Sequence, residues 1–432
     1  MTLFAVESYA RAIGAPEFPV CGRLIRSVGL LLEASGPPLP VGSFVMVDGV
    51  AAEVVGFRDG ELLLLAIEDA RGLRPGAGVK PLHLTFAVGP WVMGRILDGL
   101  GRPLDGRPLP SASERLELYL APPALEERQP VEHPFDTGVR AINGLLTLGR
   151  GQKIGIFSMP GAGKSTLLAM MARGSGADAA VIALIGERGR EAREFIDELL
   201  GTKGLERSVV IVVTGDQPAP MRIKGAFLAT AIASWLRRQG RNVLLLMDSL
   251  TRVAMAQREV GLASGEPPTN RGYPPSVYAL VPRLVEQAGQ FKDGSVTGIY
   301  TVLLHEEDND VVGELAKGAL DGHIVLSSKI ARRGHYPAID VLESVSRVFN
   351  RITLPDHANA RSRFIELYSR WRDAEELIAF GQYTPGADPR LDEAVSLRGR
   401  MDDFLRQRLR EGVSLEDSIK QLNEAIGRDE QA

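Results

Sequence analysis

Cysteine is nearly absent from this sequence, because Cys21 is the only one in 432 residues. A single cysteine excludes a disulfide within the chain and suits a reducing compartment. We interpret Cys21 as an inert core residue, since free cysteines are among the most buried residues. The first residues lack the basic lead of a secretory signal, so the expected location is the cytoplasm.

Long hydrophobic runs are also missing. The longest ones, such as Val243–Met247 and Glu61–Ile67, are far shorter than the roughly 20 residues that cross a bilayer, and they indicate buried strands.

An excess of one charge is missing as well, since 50 Lys and Arg stand against 54 Asp and Glu, a net charge of -4. This balance gives no overall attraction to a phosphate backbone, so the composition does not favour nucleic acid as a partner.

The chain is too long for one hydrophobic core, and its patterns change along its length. From about residue 20, short β-rich runs alternate with Gly, Pro and Asp turns, which is typical of a small barrel or sandwich. After Pro355 the apolar spacing becomes helical. We predict an N-terminal segment 1–19, a β-barrel domain 20–90, a central core 91–355 and a C-terminal helical domain 356–432.

The central core has the pattern of an α/β domain. Apolar runs of strand length alternate there with helical patterns, which predicts a mostly parallel sheet covered by helices. The predicted strands are Lys153–Phe157, Ala179–Ile185, Ser208–Val213, Asn242–Met247 and Thr297–Leu304.

A phosphate-binding loop follows the first of these strands. The strand Lys153–Phe157, the Gly-rich segment Ser158–Ser165 and a helical pattern come in the order that a P-loop requires. Small residues let backbone N–H groups converge on phosphate oxygens, and the helix N-terminus adds a favourable dipole. The predicted nucleotide-binding residues are Pro160, Gly161, Ala162, Gly163, Lys164, Ser165 and Thr166.

Two residues of this loop have distinct predicted roles. Lys164 would neutralise the β and γ phosphates, and the Ser165 hydroxyl would bind Mg²⁺, a hard cation that favours oxygen ligands. Ser158 stands where the P-loop pattern has its leading glycine. The alternative interpretation is a Gly-rich turn that happens to precede a helix.

Carboxylates follow two other predicted strands. Asp248 ends the run Asn242–Asp248 and would hold Mg²⁺ through water, although a strand-ending Asp also serves as a helix N-cap. Glu187 follows another buried strand, where a carboxylate can orient the attacking water and accept its proton. Spacing alone leaves Glu187 equally well explained as a surface charge. Arg188 would fix the geometry of Glu187 or contact phosphate.

Several long motifs resemble those of one known family, the hexameric ATPases of bacterial type III export, which are related to the catalytic subunit of rotary ATP synthases. The resemblance runs from about Val20 to Val395. Its motifs are Phe135–Gly144, Gly186–Glu191, Leu246–Arg252, Gly265–Pro268, Arg271–Ser276, Asp321–Ser327 and Gly334–Asp340.

The resemblance implies roles for matching residues. Glu187 is similar to the catalytic glutamate, Arg347 resembles an arginine finger supplied to a neighbouring subunit, and Tyr336 looks like the residue that stacks on adenine. It also implies a fold with an N-terminal β-barrel, a RecA-like P-loop ATPase core and a C-terminal helical domain, arranged as a homohexamer. Read alone, Arg347 would more often form an ordinary ion pair, and Tyr336 would be a core residue.

The partners and location are implied in the same way. The resemblance points to an ATP-hydrolysing motor that couples hydrolysis with Mg²⁺ to chaperone release and substrate export, peripheral to the inner membrane. Its expected partners are a negative regulator, stalk-like proteins, export chaperones with their substrates and a membrane-embedded gate. About the first 15 residues of the N-terminal segment are expected to form a short amphipathic helix, with a frayed tail as the alternative.

Two alternatives are a rotary ATP synthase subunit and, from another class, a hexameric nucleic-acid translocase. The region from Ile378 to Val395 is similar to the export ATPases rather than to the acidic helix-turn-helix of rotary subunits. The barrel lacks a set of base-stacking aromatics, which argues against a translocase. His305–Asp308 replaces the family's acidic turn, and the shared motifs do not separate flagellum from injectisome.

Overall fold

A computed structural model describes residues 22–110, 114–304 and 310–428. The predictions for the segment 1–19 and for Cys21, and the altered turn His305–Asp308, lie outside the described residues. The chain divides into two compact units, the first ending at Leu84 and the second beginning at Thr85. The four domain limits predicted from the sequence stay a prediction.

Within the first unit, six antiparallel strands close into a barrel in the order β1-β2-β5-β4-β3-β6. These strands are β1 Gly22–Val28, β2 Leu31–Ser35, β3 Phe44–Val47, β4 Val50–Arg58, β5 Glu61–Ala66 and β6 Gly78–Leu82.

Two tight turns set the register of this barrel. Asp48-Gly49 joins β3 to β4 and Asp59-Gly60 joins β4 to β5, all four residues with positive φ. Such two-residue Asp-Gly turns match the natural twist of a hairpin. Alternate residues then point inward, and Leu32, Val54 and Leu64 are among the fully buried residues of the barrel core.

The second unit contains a ten-stranded sheet, of which the main path is β20-β19-β13-β18-β16-β14-β15-β8. Strands β10 and β17 also belong to this sheet, whereas β7 pairs with β9 and β11 pairs with β12 in two separate two-stranded sheets. The strands of this unit are β7 Phe86–Val88, β8 Arg95–Leu97, β9 Glu114–Leu116, β10 Arg128–Gln129, β11 Pro134–Phe135, β12 Leu148–Gly149, β13 Lys153–Ser158, β14 Ala179–Ile185, β15 Ser208–Val213, β16 Asn242–Asp248, β17 Gly289–Phe291, β18 Gly294–Leu303, β19 Gly322–Leu326 and β20 Ile339–Ser346.

The central strands of this sheet are parallel and buried on both faces. β14 is buried along its whole length, as its unbroken apolar sequence predicts. Strands β13, β18, β16 and β14 are neighbours in that order, each parallel to the next. Their carboxyl ends therefore meet at one edge of the sheet, which is where ligands bind in open α/β sheets.

Helices cover this sheet and alternate with its strands along the chain. The α-helices are α1 Lys164–Gly174, α2 Gly189–Glu194, α3 Gly201–Glu206, α4 Ala219–Arg238, α5 Leu250–Ala263, α6 Pro275–Val285, α7 Val311–Ala319, α8 Ser328–Arg332, α9 Phe349–Ile352, α10 Pro355–Ala379, α11 Pro389–Leu405 and α12 Leu415–Ala425. Short 3₁₀ turns span Pro90–Val92, Leu125–Glu127 and Asn270–Gly272, and π-helical segments span Ile142–Leu146 and Phe195–Leu200.

The last three helices confirm the predicted helical C-terminal region. Phe364, Leu367, Tyr368 and Trp371 of α10 are all buried, as their spacing predicts. In the described residues, no helix combines the length and the apolar character needed to cross a membrane. The β-barrel, the parallel-sheet core and the C-terminal helices together confirm the predicted fold class.

Candidate active site

The phosphate loop lies between β13 and α1, at the edge where the parallel strands end. Gly161 and Gly163 have φ of +80° and +85°, a left-handed conformation that side chains rarely adopt. These two glycines allow the tight turn that aims backbone N–H groups at a bound anion. Ser158, at the position of the missing glycine, is the buried last residue of β13, and its hydroxyl has no hydrogen-bond partner.

The three predicted charged residues of the site meet at this edge. Lys164 Nζ donates to Asp248 Oδ1 at 2.5 Å and lies 3.4 Å from Glu187 Oε1. Asp248 is the last residue of β16, and Glu187 follows the end of β14 by two positions. Because β16 and β14 are adjacent and parallel, their ends bring both carboxylates together. The structure therefore places Glu187 in a buried charge cluster rather than on the surface.

Burial and charge act in opposite directions on Glu187. Glu187 is only 8% exposed. This burial raises the pKa of the Glu187 carboxyl, and the negative charge of Asp248 raises it further. Lys164 and Arg252 oppose the shift by favouring the carboxylate. Arg252 Nη2 donates to Glu187 Oε2 at 3.3 Å, and Nη1 donates to the carbonyl of Gly186. A carboxyl group with a raised pKa near a phosphate loop suits a proton acceptor.

Asp248 has a second partner from the strand that lies between the loop strand and its own. Thr301 of β18 is fully buried, and its hydroxyl donates to Asp248 Oδ1 at 2.7 Å. The register of the two strands explains the contact. Met247 pairs with Tyr300, so the next residues on the two strands, Asp248 and Thr301, are also neighbours. Asp248 also does not cap the helix that follows it, since Ser249 accepts the N–H of Arg252 there.

The residues predicted for a metal ion have suitable chemistry. Ser165 in the first turn of α1 offers a hydroxyl, and Asp248 offers a buried carboxylate close to Lys164. Hydroxyl and carboxylate oxygens are the ligands that Mg²⁺ takes beside nucleotide phosphates. The donor set therefore fits Mg²⁺, whereas in the described residues no group of three or more His, Cys, Asp or Glu is arranged to hold a metal alone.

A cavity of about 790 Å³ lies beside the loop. Gly163, Thr166 and Tyr336 form part of its lining, and so does the segment that follows α11. The Tyr336 ring is 44% exposed and stands against the loop, since a side chain on Gly163 would meet it at 3.3 Å. An exposed aromatic face beside the phosphate loop is suited to stacking on a nucleotide base.

Two predicted residues lie apart from this cluster. The Arg188 side chain is 80% exposed and contacts Glu191 at 3.4 Å. Arg347 follows β20, which is antiparallel to β19. It therefore lies near the amino-terminal ends of the parallel strands, opposite to the ends where the phosphate loop lies. Its N–H donates to the carbonyl of Asp321, whose own N–H donates to Lys153 at the start of β13. Five residues of strand, about 17 Å, then separate Lys153 from the end of β13.

Sequence reasoning missed two residues of the cluster, Arg252 and Thr301. Arg252 closes the motif Leu246–Arg252 that carries part of the resemblance, so a signal for it was present. Thr301 gave no signal, because a threonine inside a buried strand is ordinary, and only the order of the strands brings it to Asp248.

The same segments match known families. Residues 138–346, which hold the loop and both carboxylates, match the ATP synthase alpha/beta family nucleotide-binding domain. Residues 353–424 match the C-terminal domain of the EscN ATPase of type III secretion systems. This chain belongs to the ATPases of type III protein export. The export ATPase is thus an enzyme of ATP hydrolysis, and its C-terminal helices distinguish it from a rotary ATP synthase subunit.

Individual proteins agree with this family. The export ATPase is 46% identical over 431 residues to the "Flagellum-specific ATP synthase" of Pseudomonas aeruginosa, with 96% of each chain covered. It is similar to the assembled ATPase EscN of the enteropathogenic E. coli type III secretion system, with a TM-score of 0.88, 42% identity, and coverage of 94% of this chain and 100% of the other. EscN in complex with its central stalk EscO matches equally well, with the same TM-score, identity and coverage.

Proposed function

We propose that this export ATPase hydrolyses Mg-ATP at a site that neighbouring subunits of a homohexamer share. The hydrolysis is coupled to the release of chaperones and the export of their unfolded substrates through a membrane-embedded gate. The observation that carries the proposal is the buried cluster in which Lys164 contacts both Asp248 and Glu187 at the phosphate-loop edge.

In the proposed reaction, the Glu187 carboxylate orients a water molecule and accepts its proton. The water oxygen forms a bond to the γ-phosphorus while the bond from that phosphorus to the bridging oxygen breaks, giving ADP and phosphate. Lys164 neutralises charge on the β and γ phosphates, and the loop residues Pro160, Gly161, Ala162, Gly163 and Thr166 surround the nucleotide. Arg252 holds Glu187 in place and favours its ionised form, as the 3.3 Å contact supports.

Ser165 and Asp248 would hold Mg²⁺ beside the phosphates. When bound, the ion neutralises charge that develops on the phosphoryl oxygens. The contribution of the protein is to fix the two oxygen donors, and the contact between Thr301 and Asp248 supports that assignment.

The position of Arg347 supports a site shared between subunits. It is exposed, and it lies across the sheet from the loop of its own chain, at the start of β13 rather than at its end. An arginine there meets a γ-phosphate only if a second subunit supplies the loop, and a guanidinium stabilises the charge of phosphoryl transfer. Arg188 is exposed as well and would act near the phosphates only when a nucleotide or neighbour orders it. Tyr336 would stack on adenine.

The remaining partners are proposed from the family. EscN has been seen with its central stalk EscO, and we infer a stalk-like partner for this chain too, together with a negative regulator. The expected location is cytoplasmic and peripheral to the inner membrane, beside the export gate. Nucleic acid is not expected to bind, which the net charge of -4 supports.

A reconstituted release assay tests the coupling. The chain is mixed with a fluorescent cargo bound to the chaperone that the same genome encodes, and dissociation of the cargo is followed with ATP. We expect release with the unaltered chain and none with Glu187→Gln. Hydrolysis without any release would contradict the export role. Strong, length-dependent stimulation of hydrolysis by single-stranded RNA would instead favour a translocase.

A further inference from the structure

The cavity beside the phosphate loop has two walls. Tyr336 and the first turns of α1 form the core wall. Residues 403–411, at the end of α11 and beyond it, form the opposite side, here named the C-terminal wall. The distance between these walls decides whether a planar base fits between them.

In the C-terminal wall, the Gln407 side chain uses both of its polar atoms in hydrogen bonds to the backbone. Gln407 is only 6% exposed. Its Oε1 accepts the backbone N–H of Arg140 at 2.7 Å, and its Nε2 donates to the carbonyls of Gly138 at 2.8 Å and Glu411 at 2.5 Å. Both amide hydrogens are therefore used, and neither remains to contact a base.

The backbone of the same residue reaches the core wall. The N–H of Gln407 donates to the carbonyl of Tyr336 at 3.0 Å. A single residue thus joins the predicted base-stacking position to the C-terminal wall on one side and to the loop at Gly138 on the other.

A second residue of the wall, Glu411, strengthens this arrangement. Glu411 Oε1 accepts from Arg140 Nη2 at 2.7 Å, while Oε2 accepts the backbone N–H of Arg408 at 3.0 Å. Arg140 Nη2 also donates to the carbonyl of Arg406 at 3.1 Å. Hydrogen bonds therefore join residues of the C-terminal wall to one another and also join the wall to Arg140.

The loop that receives these bonds also contacts the far end of the phosphate-loop helix. A side chain on Gly138 would lie 2.7 Å from the backbone of Gly174, the last residue of α1. The N–H of Gly176 donates to the carbonyl of Asp136 at 3.0 Å. The loop around Gly138 is thus packed between α1 and the C-terminal wall, which leaves the wall little freedom while Gln407 holds it.

We propose that Gln407 is a positioning residue for the nucleotide base: it sets the separation between the C-terminal wall and Tyr336 and so selects how tightly adenine is held. This inference rests on the proposed binding of ATP at the Lys164 loop. It separates recognition of the base, which depends on Gln407, from recognition of the triphosphate, which does not.

Inorganic tripolyphosphate tests this separation, because it has the phosphates of ATP without the base. We would measure kcat and KM for ATP, and the inhibition constant of tripolyphosphate, in the unaltered chain and in Gln407→Leu. We expect KM for ATP to rise about tenfold, since the substitution leaves three backbone groups, those of Arg140, Gly138 and Glu411, without their partner. The inhibition constant and kcat should stay within about twofold.

Two further variants keep the test decisive. Gln407→Glu has nearly the same shape and keeps an acceptor for Arg140, so it provides a second measurement if the leucine variant does not fold. Its second oxygen cannot donate to the carbonyls of Gly138 and Glu411, so a rise in KM is again expected. Gln382→Leu makes the same change at an exposed position after α10 and should leave all constants unchanged.

Equal weakening of ATP and tripolyphosphate in both Gln407 variants would overturn the proposal, because the damage would then not be specific to the base. An unchanged KM for ATP would overturn it too. Lys164→Ala provides the separate check of the ATP site, since it should weaken both ligands. If Lys164→Ala affects neither, the proposed site is wrong, whatever the Gln407 variants do.

Discussion

The hydroxyl of Thr301 donates to Oδ1 of Asp248, the same oxygen that accepts from Lys164. Thr301 lies on β18, between the strand that leads into the phosphate loop and the strand that ends in Asp248. A fully buried donor at this place fixes the direction of the carboxylate, which is how a supporting contact would prepare the proposed metal ligand.

Removing that donor should weaken metal binding. Thr301→Val keeps the shape of the side chain but loses the hydroxyl, and we expect the Mg²⁺ concentration for half-maximal hydrolysis to rise about fivefold, corresponding to about 1 kcal/mol. Titration calorimetry with ADP should show weaker binding in Mg²⁺ and unchanged binding in EDTA. Thr301→Ser retains a hydroxyl and should restore the Mg²⁺ dependence, and equal behaviour of the two variants would argue against the role.

Replacing Glu187, the proposed proton acceptor, should separate ATP binding from ATP hydrolysis. Glu187→Gln cannot accept a proton, so kcat should fall by about 10²–10⁴-fold, whereas ATP affinity, measured by the fluorescence of a labelled analogue, should change little. Glu194→Gln makes the same change on an exposed side chain of α2 and serves as the control. Turnover near normal in the Glu187 variant would remove it as the base.

The contact between Arg252 and Glu187 predicts a change in pH dependence. Burial raises the pKa of Glu187, and the Arg252 guanidinium opposes that rise. A base acts when it is deprotonated, so kcat/KM should fall as the pH falls through this pKa. Arg252→Gln removes the opposing charge, and the acidic limb of the profile should move to higher pH. Arg252→Lys retains a positive charge and should move it less; a limb that stays in place in Arg252→Gln would show that another group controls it.

A mixing experiment tests whether subunits share a site. Arg347→Ala and Glu187→Gln should each abolish hydrolysis, because each removes one half of the proposed site. Rings that contain both variants have some interfaces with an intact Arg347 and an intact Glu187, so part of the activity should return. Fluorescence energy transfer between labelled subunits would verify exchange. No recovery despite exchange would show that the two residues do not act across an interface.

The active-site edge was largely predictable because its signals are local. The P-loop occupies one stretch of chain, Lys164 follows its glycines directly, and Asp248 ends an apolar strand, so composition and order along a few residues were enough. Glu187 was less certain from spacing, since a strand-ending glutamate in a charged run also suits a surface. Its burial beside Lys164 depends on which strands are neighbours.

The sequence by itself determined the kind of loop, the alternation of strands and helices, and the family resemblance, since all three are written in consecutive residues. Only the tertiary structure decided which distant residues meet. Thr301 reaches Asp248, Arg252 reaches Glu187 and Gln407 joins Tyr336 to Gly138 because the strands are ordered differently in space than along the chain, and because the C-terminal helices fold back onto the core. Local patterns report burial and direction, whereas contacts between remote side chains depend on packing.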